Sequence, residues 1–174
     1  PTLMLHGNNN LQLLWIEVDG VRLEDDSFHK TDTDLSIPNM PDSFELSIKV
    51  SIKPQENTTM MGLYRSRTMF CTQCEAEGFR SITYFLDRPD VMSEYTTTII
   101  ADSKRYPILL SNGNLIDNGT LKDGKHYAIW NDPHKKPSYL FALVAGSLSF
   151  VEDSFKTVSG SCLLYTSPSP RDLS

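Results

Sequence analysis

The chain is short of the features by which most functions announce themselves. Its 174 residues include only three cysteines and four histidines. The longest apolar run, YLFALVA at 139–145, falls far below the ~20 residues of a membrane-spanning helix. Positive charge is scarce: 16 Lys and Arg stand against 22 Asp and Glu, giving a formal charge of -6 and a pI near 5.1. Such a chain offers no field to a phosphate backbone, so neither nucleic acid nor a membrane is an expected partner. No segment combines a basic start, an apolar stretch and a small-residue cleavage site, so no signal peptide is visible, although the chain opens on Pro1 rather than Met. The residues following the four histidines are Gly7, Lys30, Tyr127 and Lys135, which excludes the H-E-x-x-H motif of zinc peptidases. Neither a G-x-S-x-G elbow nor a phosphate-binding loop occurs. An odd count of cysteines without a secreted framework favours reduced thiols and a cytoplasmic location.

What is present has the rhythm of strands. Apolar residues make up 39% of the chain, enough to bury one continuous core in a single domain. LQLLWIEV (11–18) runs into Asp19-Gly20 and out through Val21-Arg22-Leu23, the pattern of a two-residue hairpin. FELSIKVSI (44–52) alternates apolar and polar residues without a break, as a sheet with one wet face requires. EYTTTII (94–100) is rich in β-branched residues, and YPILL (106–110) ends in the turn SNGN (111–114). GTL (119–121) and YAIW (127–130) are joined across the turn Lys122-Asp123-Gly124, while 139–145 reads as a buried strand. Pro38, Pro41, Pro54, Pro107, Pro133 and Pro137 stand at or near the ends of these runs, where a missing backbone donor is tolerated. The expected fold is all-β and mainly antiparallel. Two Asn-x-Thr triplets, at Asn57 and Asn118, are read as chance matches to a glycosylation sequon.

Two segments break the rhythm. Between residues 75 and 86 there is no period of two, and Ala76, Phe79, Ile82 and Tyr84 predict a short helical or irregular segment ahead of Arg88-Pro89. At the other end, SCLLYTSPSPRDLS (161–174) has no period that fits a sheet, and CLLYTSPSPRD looks like a sequencing adapter translated in one reading frame. Residues 161–174 are therefore read as a non-native, disordered tail, and residues 1–160 as the domain.

Cys71-x-x-Cys74 invites a metal or redox role. Tetrahedral zinc needs two further ligands at compatible spacing, and His6, His29, His126 and His134 supply no such pair. A thioredoxin-like pair belongs between a strand and a helix in a βαβ setting, which an antiparallel chain lacks. Both cysteines are expected to pack as small apolar residues.

Three motifs in order carry a resemblance. CTQCEAEGFRSITYFLDRPDV (71–91), KRYPILLSNGN (104–114) and DPHKKPSYLFALVAG (132–146) resemble the N-terminal β domain of the bacterial-type aminopeptidase N family, zinc metallopeptidases of the gluzincin clan. The similarity runs from about residue 3 to residue 160. It implies a saddle-like β-sandwich of twisted sheets covering a catalytic domain, with the segment Thr72-Gln73-Cys74-Glu75 reaching the active site. By that resemblance Glu75 binds the free α-amino group of a peptide substrate, and Gln73 lines the pocket for the first side chain or braces the backbone. Glu77 is a helper or a structural residue, and Arg80, Asp87 and Arg88 form a local ion network that holds the loop. The resemblance also implies a Zn²⁺ cofactor, but its ligands, the exopeptidase loop and the catalytic residues would lie in a following domain. The expectation is thus a fragment, incomplete at both ends, with no catalytic or metal residue of its own and with its own catalytic domain and the substrate N-terminus as partners. The rival from the residues alone is a non-catalytic module that binds protein or carbohydrate on a platform of aromatics such as Trp15, Trp130 and Tyr139.

Overall fold

A computed structural model describes residues 1–158, 160 and 162–168. The chain forms β1 (Leu3–His6), β2 (Gln12–Val18), β3 (Val21–Arg22), β4 (His29–Lys30), β5 (Asp34–Ile37), β6 (Leu46–Ser51), β7 (Gly62–Ser66), β8 (Met69–Gln73), β9 (Ser93–Asp102), β10 (Ile108–Ser111), β11 (Asn114–Thr120), β12 (Lys125–Lys136), β13 (Leu143–Gly146), β14 (Phe150–Lys156) and β15 (Cys162–Pro168). Every pairing between these strands is antiparallel. Among the described residues, helix is limited to single 3-10 turns, one of them Phe79–Ser81 inside the segment predicted to be irregular. The all-β expectation holds.

Two cores organise the sheets. The sheets β1-β5-β4 and β3-β2-β6 share a first core in which Ile16 and Leu35 are wholly buried, flanked by Phe44, Leu46, Ile48 and Val50 from the alternating run. Alternation explains β6 directly, because a one-residue slip would turn all of these apolar side chains to water. The sheets β10-β13-β8-β7 and β11-β12-β9 share a second core of Ile99, Leu109, Ala128 and Ala145 with Phe70 and Trp130 against it. Segment 74–90 runs between the two. Its Tyr84 is buried in the first core, and His6 and Phe85 exchange both backbone hydrogen bonds, at 2.8 and 3.0 Å.

Turn chemistry sets the connections. Asp19 and Gly20 both have positive φ, 51° and 77°, as the tight hairpin between β2 and β3 requires. The Asn-Gly pair at 112–113 does something different from closing a hairpin. It carries the chain from the sheet of β10 to that of β11, with Asn112 donating to the Leu140 carbonyl (3.1 Å) and accepting from the Ala142 N–H (2.6 Å).

Three expectations need correcting. The buried strand expected at 139–145 shortens to β13, because Ser138–Leu140 forms a 3-10 turn behind Pro137. Pro133 lies inside β12, at the register irregularity between Asp132 and Lys136, where a strand tolerates it. Residues 162–168, expected to be a disordered tail, form β15, which pairs with β14 from Phe150 opposite Pro168 to Lys156 opposite Cys162. The bond from the Gly160 N–H to the Thr157 carbonyl closes the turn, and the strand-forming run Leu-Leu-Tyr-Thr at 163–166 suits the pairing. The boundary expected at 160 thus falls within a hairpin, while residues 169–174 lie outside the described residues.

Candidate functional site

Segment 74–88 hangs from β8, and β8 is held on both sides. Gln73 pairs with Gly62 of β7, and Cys71 lies opposite both Tyr64 and Val144. Thr72 adds a side-chain tie, its hydroxyl accepting from the Leu143 N–H at 2.9 Å. Past Gln73 the chain turns at once: the Gly78 N–H donates to the Cys74 carbonyl (2.8 Å), and the turn Phe79–Ser81 follows. Only glycine serves at 78, because a Cβ there would stand 2.3 Å from the Gln73 carbonyl oxygen. Gly62, with φ +73°, is crowded in the same way, 2.8 Å from Ser81 Cβ.

Below this turn the loop is nailed down by rings. Phe79 meets Phe85 (centroids 4.9 Å apart), Phe141 (5.1 Å) and Tyr95 (6.1 Å), all edge-on, the geometry aromatic pairs prefer. Beside them lies the ionic clamp. Asp87, only 3% exposed, accepts through Oδ2 from the Arg80 backbone N–H (3.1 Å) and from Arg80 Nε (2.9 Å). Its backbone carbonyl accepts from Arg80 Nη2 at 2.8 Å, and its Oδ1 accepts from the Ser138 hydroxyl. Arg80 also reaches Glu77 at 3.4 Å.

The predicted residues separate into two groups. Glu75, Gln73 and Glu77 are exposed at the head of the loop. Gln73 Nε2 donates to the Glu75 carbonyl at 3.3 Å, and the Glu75–Ala76 peptide is cis. Arg80 and Asp87 form the clamp expected of them, but Arg88 does not join it. Its guanidinium instead forms a two-point pair with Asp90, 3.1 Å at each contact, in solvent, because residues 87 and 88 face opposite ways, one into the protein and one out. Both nearby arginines are therefore engaged, and among the described residues no ion pair involves the Glu75 carboxylate. Ser138, 1% exposed, and the ring cluster around Phe79 went unnoticed in the sequence. A Ser-Pro or Pro-Ser pair is too common to signal a buried acceptor's partner from far along the chain.

Cys74 behaves as the packing group expected of it, while Cys71 is only partly buried. Cys74 is 3% exposed, and its thiol is pushed up to about 12, first by burial and then by the charge of Asp87. Tyr95 is likewise pushed up to about 12 by burial, with Asp87 second. A metal ligand must be a thiolate, so Cys74 is a poor one. Among the described residues no group of three or more His, Cys, Asp or Glu side chains could hold a metal ion. The zinc implied by the resemblance does not fit these residues, and no catalytic step is assigned to them.

The aromatics of the rival binding platform are dispersed. Trp15, on β2, lies under the guanidinium of Arg22 at 5.0 Å. Trp130, on β12, packs on the second core and donates its indole N–H to the Leu109 carbonyl at 3.1 Å. The Asn57 amide donates to the Met61 and Leu63 carbonyls at 2.8 and 3.0 Å, a bracing role that accounts for its place in the sequence.

Comparison with known proteins points one way. The Peptidase M1 N-terminal domain family matches residues 15–140. Aminopeptidase N of Caulobacter vibrioides is 52% identical over 158 residues, covering 91% of this chain and 18% of that protein. Aminopeptidase N of Escherichia coli is 56% identical over 126 residues, 72% of this chain and 14% of that protein. The chain therefore spans less than a fifth of the length of these relatives. Among solved structures, aminopeptidase A of Legionella pneumophila in complex with aspartic acid superposes with a TM-score of 0.89 at 38% identity, over 95% of this chain and 19% of that one. An M1 zinc metallopeptidase of Deinococcus radiodurans bound to a Tyr-Ser-Ala substrate has a TM-score of 0.76 at 13% identity, over 95% and 39% of the two chains, which shows the shared fold alone.

Proposed function

This chain belongs to the Peptidase M1 N-terminal domain family, and on that premise we propose that it is the β domain of a zinc metalloaminopeptidase, in which it supplies the receptor for the α-ammonium group of a peptide substrate. The observation that carries the proposal is Glu75: an exposed carboxylate on a braced loop, with Arg80 and Arg88 engaged by other acids. Zinc, its ligands and the hydrolytic residues belong in this proposal to the rest of the polypeptide.

The chemistry of an aminopeptidase calls for such a group. The enzyme must measure from the chain end, so it needs an anion at a fixed distance from the scissile bond. Two unit charges about 4 Å apart attract by roughly 4 kcal/mol at an effective dielectric near 20. Desolvation reduces the net worth to roughly 1.5–3 kcal/mol, that of a hydrogen bond to a charged group. That suffices to orient the substrate and to reject a blocked N-terminus, whose amide cannot replace the charge. Gln73, bonded to the Glu75 carbonyl, stiffens the same stretch and in this proposal lines the pocket for the substrate's first side chain. The favourable names of the relatives and of the Legionella neighbour support the class.

The test is Glu75→Ala in the full-length polypeptide carrying this domain, assayed on an aminoacyl reporter with a free amine. A loss of roughly 1.5–3 kcal/mol corresponds to a fall in kcat/KM of about 10- to 150-fold. An unchanged kcat/KM would remove Glu75 from the site.

A further inference from the structure

We propose that Asp87, with Ser138 as its second tie, is a positioning residue that fixes where Glu75 stands. This rests on the anchor role proposed above for Glu75. Asp87 cannot itself receive a substrate: it is 3% exposed and both carboxylate oxygens are occupied, one by Arg80 and the other by Ser138. What it does is join three pieces of chain. The first is the turn Phe79–Ser81, gripped through the backbone N–H and side chain of Arg80. The second is its own segment, whose carbonyl receives Arg80 Nη2. The third is the turn Ser138–Leu140, reached through the Ser138 hydroxyl.

Glu75 lies between two fixed points as a result. On its N-terminal side Gln73 is paired in β8. On its C-terminal side the Gly78–Cys74 hydrogen bond closes a turn that leads within two residues to Arg80. Arg80 is held by Asp87, and through Glu77 it touches the loop a second time. Charge does the positioning well, since an arginine whose guanidinium is gripped at Nε and Nη2 and whose backbone N–H is held by the same carboxylate has one allowed orientation. Asp87 thus acts on substrate only through the backbone that carries Glu75. A purely architectural residue would lower activity by an amount indifferent to whether Glu75 is present.

That difference is measurable by a double-mutant cycle in the full-length zinc-loaded polypeptide carrying this domain, with an aminoacyl p-nitroanilide as probe. Asp87→Asn and Ser138→Ala are each made with Glu75 intact and with Glu75→Ala. Misplacing a binding group by about an ångström costs up to a hundredfold. Each change is therefore expected to lower kcat/KM by about 10- to 100-fold beside Glu75 and by less than about threefold once Glu75 is alanine. Ser138→Ala leaves the Arg80–Asp87 pair in place, so it decides the matter if Asp87→Asn does not fold. If both losses persist in full on the Glu75→Ala background, or if neither variant loses activity, the positioning role is overturned while the anchor role stands. If Glu75→Ala alone costs nothing, the anchor role falls and takes this one with it.

Discussion

Replacing Phe79 by alanine should do more than hollow out a core, because Phe79 lies where the two halves of the protein meet. Its ring touches Phe85, whose backbone pairs with His6 of the first half, and Phe141 and Tyr95 of the second. Truncating a buried phenylalanine costs about 3–5 kcal/mol. Against a domain stability of roughly 5–15 kcal/mol, that is between about a fifth and the whole of the total. With a urea slope near 2 kcal/mol per molar, the midpoint should fall by about 1.5–2.5 M. Phe79→Leu keeps most of the volume and loses only the edge-on ring contacts, worth about 0.5–1.5 kcal/mol each, so it should lie clearly between parent and alanine. The tryptophans make the assay sharper. Trp15 reports on the first half and Trp130 on the second, so unfolding is followed by fluorescence in Trp15→Phe and Trp130→Phe backgrounds. In the parent the two probes should report one coincident transition; in Phe79→Ala they should separate, since the joint that couples the halves is gone. A midpoint shift under about 0.5 M, or transitions that stay superimposed with leucine and alanine alike, would show that the ring cluster is not the joint.

Other consequences are simpler to state. With its thiol pushed up to about 12 against an ordinary 9.0, Cys74 should be alkylated roughly a thousandfold more slowly than a normal cysteine near pH 8; peptide mapping after brief iodoacetamide treatment checks it, and equal labelling of Cys71 and Cys74 in folded protein would contradict it. Gly78→Ala, which places a methyl 2.3 Å from a backbone oxygen, should destabilise by well over the roughly 1 kcal/mol expected of Gly20→Ala, whose Cβ meets nothing within 4 Å and suffers only its positive φ; thermal melts of the two variants compare them directly. Asn57→Asp turns two donors into an acceptor facing the Met61 and Leu63 carbonyls, a loss of about 1–3 kcal/mol by denaturant titration. Asp102 is held below its ordinary value of 3.8, chiefly by the Arg105 N–H. Its stabilisation is therefore complete above that value and is lost as pH falls through the lowered one, so any gap between the parent and Asp102→Ala at pH 7 should close in acid.

How much of this was readable beforehand follows from where each signal is written. The hairpin at Asp19-Gly20 and the strand β6 were legible because their causes are local: two residues that tolerate positive φ, and an unbroken period of two. β7 and β8 were not, since GLYRS and MFCTQ have neither alternation nor a strong β-branched content; β8 is held by β13 on its other side, and Gly62 of β7 lies where a Cβ would meet Ser81. The Asn-Gly corner at 112–113 misleads in another way, because a turn-forming pair says that the chain reverses but not which sheet receives it. At the site, the acids and arginines were visible as types and their pairing was not. By sequence distance Arg88, next to Asp87, is the nearer partner, yet it is Arg80 that is committed inward to Asp87 while Arg88 turns outward to Asp90, a choice made by which neighbour the core buries.

That choice also explains why Glu75 is available. Residues 73–90 contain four acids, Glu75, Glu77, Asp87 and Asp90, and two arginines. A loop so composed cannot neutralise itself, and what matters is which acid is left over. Asp87 takes Arg80 because burial makes an unpaired carboxylate far more costly there than at the surface. Glu77 shares the outer edge of the same guanidinium, and Asp90, two residues from Arg88, wins it by proximity. Two negative charges are in surplus: one stays with Asp87 and Glu77, which share Arg80, and the other falls on Glu75, which stands on the braced turn after β8 with no ion pair among the described residues. A receptor for an ammonium group needs both properties at once: an anion with no internal cation to displace, and a backbone stiff enough that its position is set before the substrate arrives. The buried pair provides the second by consuming the cation that would have cancelled the first.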